Sequence, residues 1–221
     1  MNVLTMTTRD TVAANQLERS SFAGGKSSAT CMLTIENLTV TRCYEQSAYG
    51  DSGFGIRIVH SNVTNGTAVV RNCVLSSNRC SKTSISDRSS GLGLYALGAA
   101  RSGFHVQVSD CLIQGNHSIG RSGNGAGLFL NHGRFTVENT DVIDNIAGGL
   151  RRQELSEYSA SGGGARVGNA AAGSLIRSCR FEGNSALAGG GGSYAGALYV
   201  DTCPITIESS IVQNNRGVYV A

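Results

Sequence analysis

One nine-residue phrase returns six times along this chain of 221 residues, and this recurrence limits the possible folds more than any other feature. The residue eight positions before each end of the phrase is Ile or Val, and the residue three positions before is Val, Leu, Ile or Phe. The phrase ends in turn at Cys43, Asn78, Asn116, Asn145, Asn184 and Asn215. Repetition of this kind is typical of a solenoid, in which each repeat packs on its neighbours.

A small polar residue lies between the two apolar columns, six positions before each end of the phrase. Such residues bend a chain by bonding to their own backbone, so each phrase is predicted to form strand, corner, strand and turn. The column consists of Asn37, Asn72, Asp110, Asn139, Ser178 and Ser209. The irregular spacing of the phrases indicates loops of variable length between constant strands.

A Gly-rich segment with period-two alternation follows each variable loop and predicts a third strand. These segments are GFGIRI (53–58), GLGLYA (91–96), GAGLFL (125–130), GGGARV (162–167), AGALYV (195–200) and the truncated GVYV (217–220). We therefore predict an all-β fold, a right-handed single-stranded parallel β-helix of about six coils with three strands in each coil. The β-helix is expected over residues 31–221, cut short at its C-terminal end, after a poorly defined segment over residues 1–30.

The final column of the phrase predicts an asparagine ladder. Asn suits a turn that needs a left-handed residue or an Asx bond, and stacked Asn amides can bond from one rung to the next. We interpret this column as scaffold and not as a ligand site. Its members are Asn78, Asn116, Asn145, Asn184 and Asn215, with Cys43 in the first coil.

Three of the seven cysteines share one column, five positions before the end of the phrase: Cys73, Cys111 and Cys179. Leu, Thr or Ser occupies this column in the other coils, which favours buried thiols chosen for their size. A disulfide between Cys73 and Cys111 stays open as an alternative, because these two lie on neighbouring rungs. No C-x-x-C pair and no zinc spacing is present, so neither a metal nor a cofactor is predicted.

Each Gly-rich strand contributes one aromatic ring or guanidinium to a column that is expected to point outward. This column consists of Arg57, Tyr95, Phe129, Arg166, Tyr199 and Tyr219. A second outward column of Gly is expected beside it, leaving a shallow trough: Gly55, Gly93, Gly127, Gly164 and Gly217, with Ala197. Flat groups beside bare backbone suit a sugar ring or another protein, so this face is the predicted binding face. The alternative is that the rings stack from rung to rung and stabilise the sheet.

Composition excludes some functional classes. The net charge of +3 is not clustered as in a nucleic-acid binder, and no apolar run is long enough for a membrane-spanning helix. A secretory signal is not recognisable at the start of the chain. No catalytic residues are predicted, because the one motif of interest, Asn139-Thr140-Asp141, lacks the further acidic residues that glycoside hydrolysis needs.

The Gly-Gly-Ala-like strand GGGARV, together with the segment from Cys179 through Phe181 to Asn184, resembles the repeats of polymorphic outer-membrane proteins and related pectin-lyase-like β-helices. This resemblance implies a secreted or surface-exposed protein. We expect a non-catalytic structural or adhesive module of a larger surface or extracellular protein, binding a glycan or protein partner, with further β-helix coils or domains adjoining it. The alternative is a remote or partial polysaccharide lyase or glycoside hydrolase, to which the more distant β-helices belong.

Overall fold

The computed structural model describes residues 2–7, 11–13, 31–45, 55–60, 65–81, 88–100, 103–119, 122–148 and 158–220. These residues form a parallel β-solenoid without a helix, as the sequence predicts. Every strand pairing found among them is parallel, and the strands build three sheets that run along the rod.

The first sheet has 11 strands and consists of two halves. Its repeat half contains β1 (Asn2–Thr7), which precedes the first phrase. The other strands of this half begin the six phrases: β3 (Cys31–Glu36), β7 (Gly66–Arg71), β12 (Phe104–Ser109), the second part of β16 (Leu128–Glu138), β21 (Ser174–Arg177) and β25 (Ile205–Glu208). Its leading half holds the Gly-rich segments: β6 (Ile56–Val59), β11 (Leu94–Leu97), the first part of β16, β20 (Ala165–Ala170) and β24 (Leu198–Asp201). The continuous strand β16 joins the two halves.

The second sheet has seven strands, of which β2 precedes the first phrase and the other six each end a phrase just before the ladder position. They are β2 (Thr11–Ala13), β4 (Thr39–Thr41), β8 (Val74–Ser76), β13 (Leu112–Gln114), β17 (Asp141–Ile143), β22 (Arg180–Glu182) and β26 (Ile211–Gln213). Each corner between the first and second sheets has a left-handed backbone, with φ between 48° and 57° at Asn37, Asn72, Asp110, Asn139, Ser178 and Ser209. The predicted polar corner column therefore lies at these bends.

The third sheet has nine strands and occupies the segment that was predicted as a variable loop. Outgoing strands follow the ladder directly: β5 (Tyr44–Glu45), β9 (Arg79–Ser81), β14 (His117–Ile119), β18 (Ile146–Gly148), β23 (Ser185–Tyr194) and β27 (Arg216–Val220). Return strands lead back to the Gly-rich segment: β10 (Arg88–Ser90), β15 (Ser122–Asn124) and β19 (Tyr158–Ser161). A layer of small residues packs between them, namely Ala126, Ala147, Ala160, Ala186 and Ala188.

The structure has about four full turns, fewer than the six coils predicted. Counting by phrases overestimates the number, because the first and last windings supply only some of the strands within the described residues. A full turn such as β7 to β11 contains five strand segments and not three, because the predicted loop contains two of its own.

The core lies between the three sheets, and the predicted apolar columns fill it. Val108 pairs in register with Val137, and both are almost fully buried. The third-strand residues Leu94 and Leu128 are buried in the same way. In the last winding the same columns are exposed, with Ile207 at 46% and Val212 at 58%, since the described chain places no further rung over them.

Candidate functional site

The ladder asparagines lie one above another at the turn after the second sheet. The Oδ1 of Asn145 accepts two hydrogen bonds from Asn116, one from the backbone N–H at 3.0 Å and one from the side-chain Nδ2 at 2.9 Å. The Nδ2 of Asn145 donates to the Ile113 carbonyl at 2.9 Å and to the Oδ1 of Asn184 at 3.0 Å. Backbone-to-amide bonds of the same kind join Cys43 to Asn78, Asn78 to Asn116 and Asn184 to Asn215. Because these polar groups are buried, they depend on one another for hydrogen bonds.

The left-handed residue of this turn is the one before the ladder position. The φ angles there lie between 53° and 66°, at Arg42, Ser77, Gly115, Asp144, Gly183 and Asn214. Of the two reasons predicted for Asn at this turn, the left-handed conformation belongs instead to the preceding residue. The asparagines are required for their amide bonds, and the turn before them tolerates several residue types.

A second column of polar contacts runs along the rod through the cysteines. The Cys179 Sγ lies 3.2 Å from the carbonyl of Arg177, the residue two positions earlier. The hydroxyl of Thr140 makes the equivalent bond to the Glu138 carbonyl at 2.8 Å. Cys73, Cys111 and Ser210 make the same local contact. Five of the six residues in the column thus carry a short donor, which explains why Cys, Thr and Ser exchange in it, while Leu38 fills the first rung without one.

Cys73 and Cys111 are both free thiols in the structure and both are buried. A hydrogen bond with Cys111 lowers the pKa of the Cys73 thiol to about 7, against the opposing effect of burial. The same contact, together with burial, raises the pKa of the Cys111 thiol. Burial also raises the pKa of Cys179. Because solvent cannot reach these thiols, they are packing groups in this structure and not accessible nucleophiles.

The Gly column beside the rings is buried from Gly55 to Ala197, and the predicted shallow trough is wrong; Gly217 is exposed and lies in β27 of the third sheet. A Cβ placed on Gly127 would lie 2.5 Å from the carbonyl oxygen of Gly164 and 3.0 Å from the Nδ2 of Asn145. Gly93 and Gly164 meet the next rung and the ladder in the same way. These glycines follow a left-handed corner, at Gly91, Gly125 and Gly162 in the three turns, which interrupts the period-two alternation. They face the interior and allow adjacent rungs to approach closely.

Five of the six predicted binding residues form one continuous outer line, which we call the ring stack: Arg57, Tyr95, Phe129, Arg166 and Tyr199. Each is in register with the next along the leading half of the first sheet. The rings of Tyr95 and Phe129 are stacked at 5.0 Å between centroids with an interplanar angle of 6°. The Arg57 guanidinium lies over the Tyr95 ring at 5.4 Å. Arrangements of this kind favour a fixed geometry for each flat group.

Tyr219, the sixth predicted residue, is not part of the ring stack. It lies in β27, which pairs with β23 in the third sheet and places Tyr219 opposite Ala188. The segment GVYV resembles a Gly-rich strand in its letters. It follows the ladder residue Asn215 directly, however, and the chain after a ladder residue enters an outgoing strand in every turn.

The most enclosed member of the ring stack is Tyr95, which is only 7% exposed. Arg57 on one side and Phe129 on the other occupy its two faces, so stacking within the protein explains this ring without a ligand. The half-buried residues Phe129, Arg166 and Tyr199 keep surface toward solvent. The accessible rings therefore lie toward the Tyr199 end, while the exposed Arg57 offers only a guanidinium at the other end.

Arg166 is the most constrained cation of the ring stack. Its guanidinium lies 6.0 Å from the ring centroid of Phe129 on one side and 5.4 Å from that of Tyr199 on the other. Its Nη1 donates to the Oδ1 of Asn124 at 2.7 Å, and its Nη2 lies 3.6 Å from the Asp201 carboxylate. The guanidinium is held on both faces and at its edges, so its position is preorganised.

Tyr194 is a site residue that the sequence analysis missed. Its ring is 53% exposed and lies 5.9 Å from that of Tyr199, tilted by 45°. It is the last residue of β23 and so belongs to the third sheet. The strand β23 contains the Gly-rich segment 189–193 just before Tyr194. This segment shows no apolar alternation that would have placed Tyr194 beside the ring stack.

The carboxylates near the N-T-D motif have structural partners. The Asp141 carboxylate accepts a bond from the Arg180 Nη2 at 2.7 Å. Asn139 is a left-handed corner and Thr140 belongs to the cysteine column. On the same outer side, Glu138 is paired with Arg177. The motif is thus fully engaged in the repeat.

Among the described residues, no group of three or more His, Cys, Asp or Glu side chains could hold a metal ion. In the same part of the chain, no helix has the length and apolar character to cross a membrane. Comparisons of this chain with protein-family models, with curated proteins and with solved structures found no significant match.

Proposed function

We propose that this chain is a non-catalytic, adhesive β-helix module that binds a glycan or protein ligand through the outer face carrying the ring stack. The observation that supports this proposal is the line of five flat groups held in register along one side of the rod. A rigid rod presents such groups with little conformational entropy left to lose on binding. Tyr and Arg are the residues that binding interfaces favour.

We further propose a right-handed winding and a surface or extracellular location. The support for this part is the parallel solenoid together with the likeness of the GGGARV and Cys179–Asn184 segments to polymorphic outer-membrane and pectin-lyase-like repeats. Detection of the native protein at the cell surface by antibody labelling of intact cells tests the location. Labelling that requires permeabilised cells would contradict it.

Three carboxylates on the outer side of the rod form ion pairs with arginines, which supports a binding role over a catalytic one. An inverting or retaining glycosidase needs two available carboxyl groups at a defined separation. Asp141, Glu138 and Asp201 are each bound to an arginine instead. A reducing-sugar and unsaturated-product assay on pectins and related polysaccharides is expected to show no turnover, and turnover would contradict this part of the proposal.

The binding role is tested with a glycan array and a panel of immobilised extracellular-matrix proteins. The double variant Phe129→Leu/Tyr199→Leu removes two rings and keeps a strand-forming side chain at each position. We expect it to lose binding to the ligand that the unaltered protein selects, with the thermal midpoint lowered only slightly. Tyr44→Ala is the matched control, since Tyr44 is 57% exposed but lies in β5 of the third sheet. Equal binding by the double variant and the control would contradict the proposal.

A further inference from the structure

We propose that the corner formed by Tyr194, Tyr199, Arg166 and Asp201 is a subsite for a neutral sugar residue of a polysaccharide. The inference rests on the proposed binding function and narrows it to one location and one ligand class. It depends on three features of the corner, namely its exposed rings, its complementary polar groups and its balance of charge.

The two tyrosine rings form the apolar part of the subsite. Their tilt of 45° at 5.9 Å leaves them as two walls that meet at an angle, and not as a closed stack. Tyr194 is more than half exposed, while Tyr199 has Arg166 on one face. A pyranose has one face rich in C–H groups, and such a face packs on an aromatic ring much as another apolar group does.

The polar part of the subsite places donors beside acceptors. Arg166 supplies only donors, and it is fixed by Asn124 and by the rings on either side. The Asp201 carboxylate supplies only acceptors, and its Oδ1 is held by the Thr202 hydroxyl at 2.8 Å. A pair of neighbouring sugar hydroxyls needs both kinds of partner at once, because each hydroxyl donates one bond and accepts others.

The charge balance of the corner selects against acidic sugars. The Arg166 cation already faces the Asp201 carboxylate at 3.6 Å, so the pair carries no net charge. A uronic acid would place a second carboxylate near Asp201 and would compete with it for the same guanidinium. Repulsion between like charges disfavours this arrangement, whereas a neutral hexose leaves the pair intact.

Affinity electrophoresis in gels that contain neutral galactan, neutral mannan or polygalacturonate tests this inference. We expect the unaltered protein to be retarded by at least one neutral polymer and not by polygalacturonate. Tyr194→Ala is expected to weaken that binding about fivefold, since the loss of one ring contact corresponds to roughly 1 kcal/mol. Tyr199→Ala is expected to have at least the same effect.

Tyr44→Ala serves as the control again, because it removes an equally exposed tyrosine far from the corner in sequence and in a different strand. Tyr194→Phe should bind like the unaltered protein, which separates loss of the ring from loss of the fold. Asp201→Asn removes the negative charge and should weaken binding of the neutral polymer while permitting some binding of polygalacturonate.

Preferential retardation by polygalacturonate overturns the inference, and so does binding of a neutral polymer that is unaffected by Tyr194→Ala. In both results the proposed binding function still stands, because a glycan is bound. Absence of binding to every polysaccharide overturns the neutral-sugar subsite alone. The wider proposal fails separately, when the Phe129→Leu/Tyr199→Leu variant binds the selected array ligand as well as the unaltered protein does.

Discussion

Two lines of stacked side chains run along this rod, and they are built on different physical principles. The inner line is the asparagine ladder, in which the same residue recurs because each rung makes the same buried amide bonds. The outer line is the ring stack, in which Arg, Tyr and Phe alternate because stacking requires only a flat group. Between Asn78 and Asn184 an exchange in the inner line leaves a buried polar group unpaired, and only the first rung carries another residue, Cys43. The residue type of the outer line varies from rung to rung within one fold, which is why ligand recognition is expected there.

The largest expected effect comes from breaking the ladder in its middle. Asn145→Ala removes an amide that serves both neighbouring rungs and leaves the Asn116 N–H and amide groups without their acceptor. We expect the free energy of unfolding to fall by about 4 kcal/mol, measured by urea denaturation.

Asn215→Ala is the control for this change, because Asn215 has a described ladder partner on one side only and is less buried. Its loss should be about half as large or smaller. Equal losses for Asn145→Ala and Asn215→Ala would show that ladder continuity contributes nothing beyond the individual turn.

The second prediction tests the close approach of rungs beside the ladder. Gly127→Ala places a methyl group 2.5 Å from a backbone oxygen of the next rung, where no side chain can move aside. We expect a loss of about 2 to 3 kcal/mol in the same urea assay. Ala197 occupies the equivalent position in the last winding, so Ala197→Gly should change the stability by less than about 1 kcal/mol. A tolerated Gly127→Ala would restore the idea of an outward trough.

The third prediction concerns the cysteine column, whose short side chains donate hydrogen bonds to backbone carbonyls at the bend between the first and second sheets. Cys179→Ala leaves the Arg177 carbonyl without its local donor and should lower the stability by about 1 to 2 kcal/mol. Cys179→Ser retains a donor like those of Thr140 and Ser210, so it should lose clearly less. If the alanine variant is the more stable of the two, the column is selected for size alone.

The smallest expected effect lies in the outer line. A double-mutant cycle with Tyr95→Leu and Phe129→Leu isolates the energy of the stacked pair at 5.0 Å. We expect a coupling of about 1 kcal/mol, well below the effect of Asn145→Ala. A coupling as large as the ladder effect would make the ring stack a structural element first, and would weaken the case for a binding role.

The repeat columns could be predicted from the sequence because each column has six members, and the residue types they share show what the position requires. Val108 and Val137 occupy equivalent places in the phrase, and the structure pairs them in register. A residue outside the phrase has no equivalent residues in the other coils with which it can be compared. Tyr219 was misplaced because the letters GVYV resemble a Gly-rich strand, whereas the distance from Asn215 decides which sheet the segment enters.

The third sheet and the direction of the Gly column escaped prediction for a related physical reason. Their residues are small, so apolar alternation does not mark which side faces inward. Cys80, Ser118 and Ala147 are buried two positions after their ladder residues, and this column of small residues was the available signal for the outgoing strands. Gly127 has no side chain to alternate, and the left-handed Gly125 before it resets the pattern.

The stacking of equivalent positions on consecutive windings is the claim on which the ladder, the ring stack and the proposed subsite all depend. Contacts between methyl groups, measured by nuclear Overhauser effects in protein labelled at its valine and isoleucine methyls, test it most directly. The account predicts that Val108 contacts both Val70 and Val137, and that Val137 contacts Ile176. Strong contacts of Val108 with residues outside its column, together with none to Val137, would contradict it.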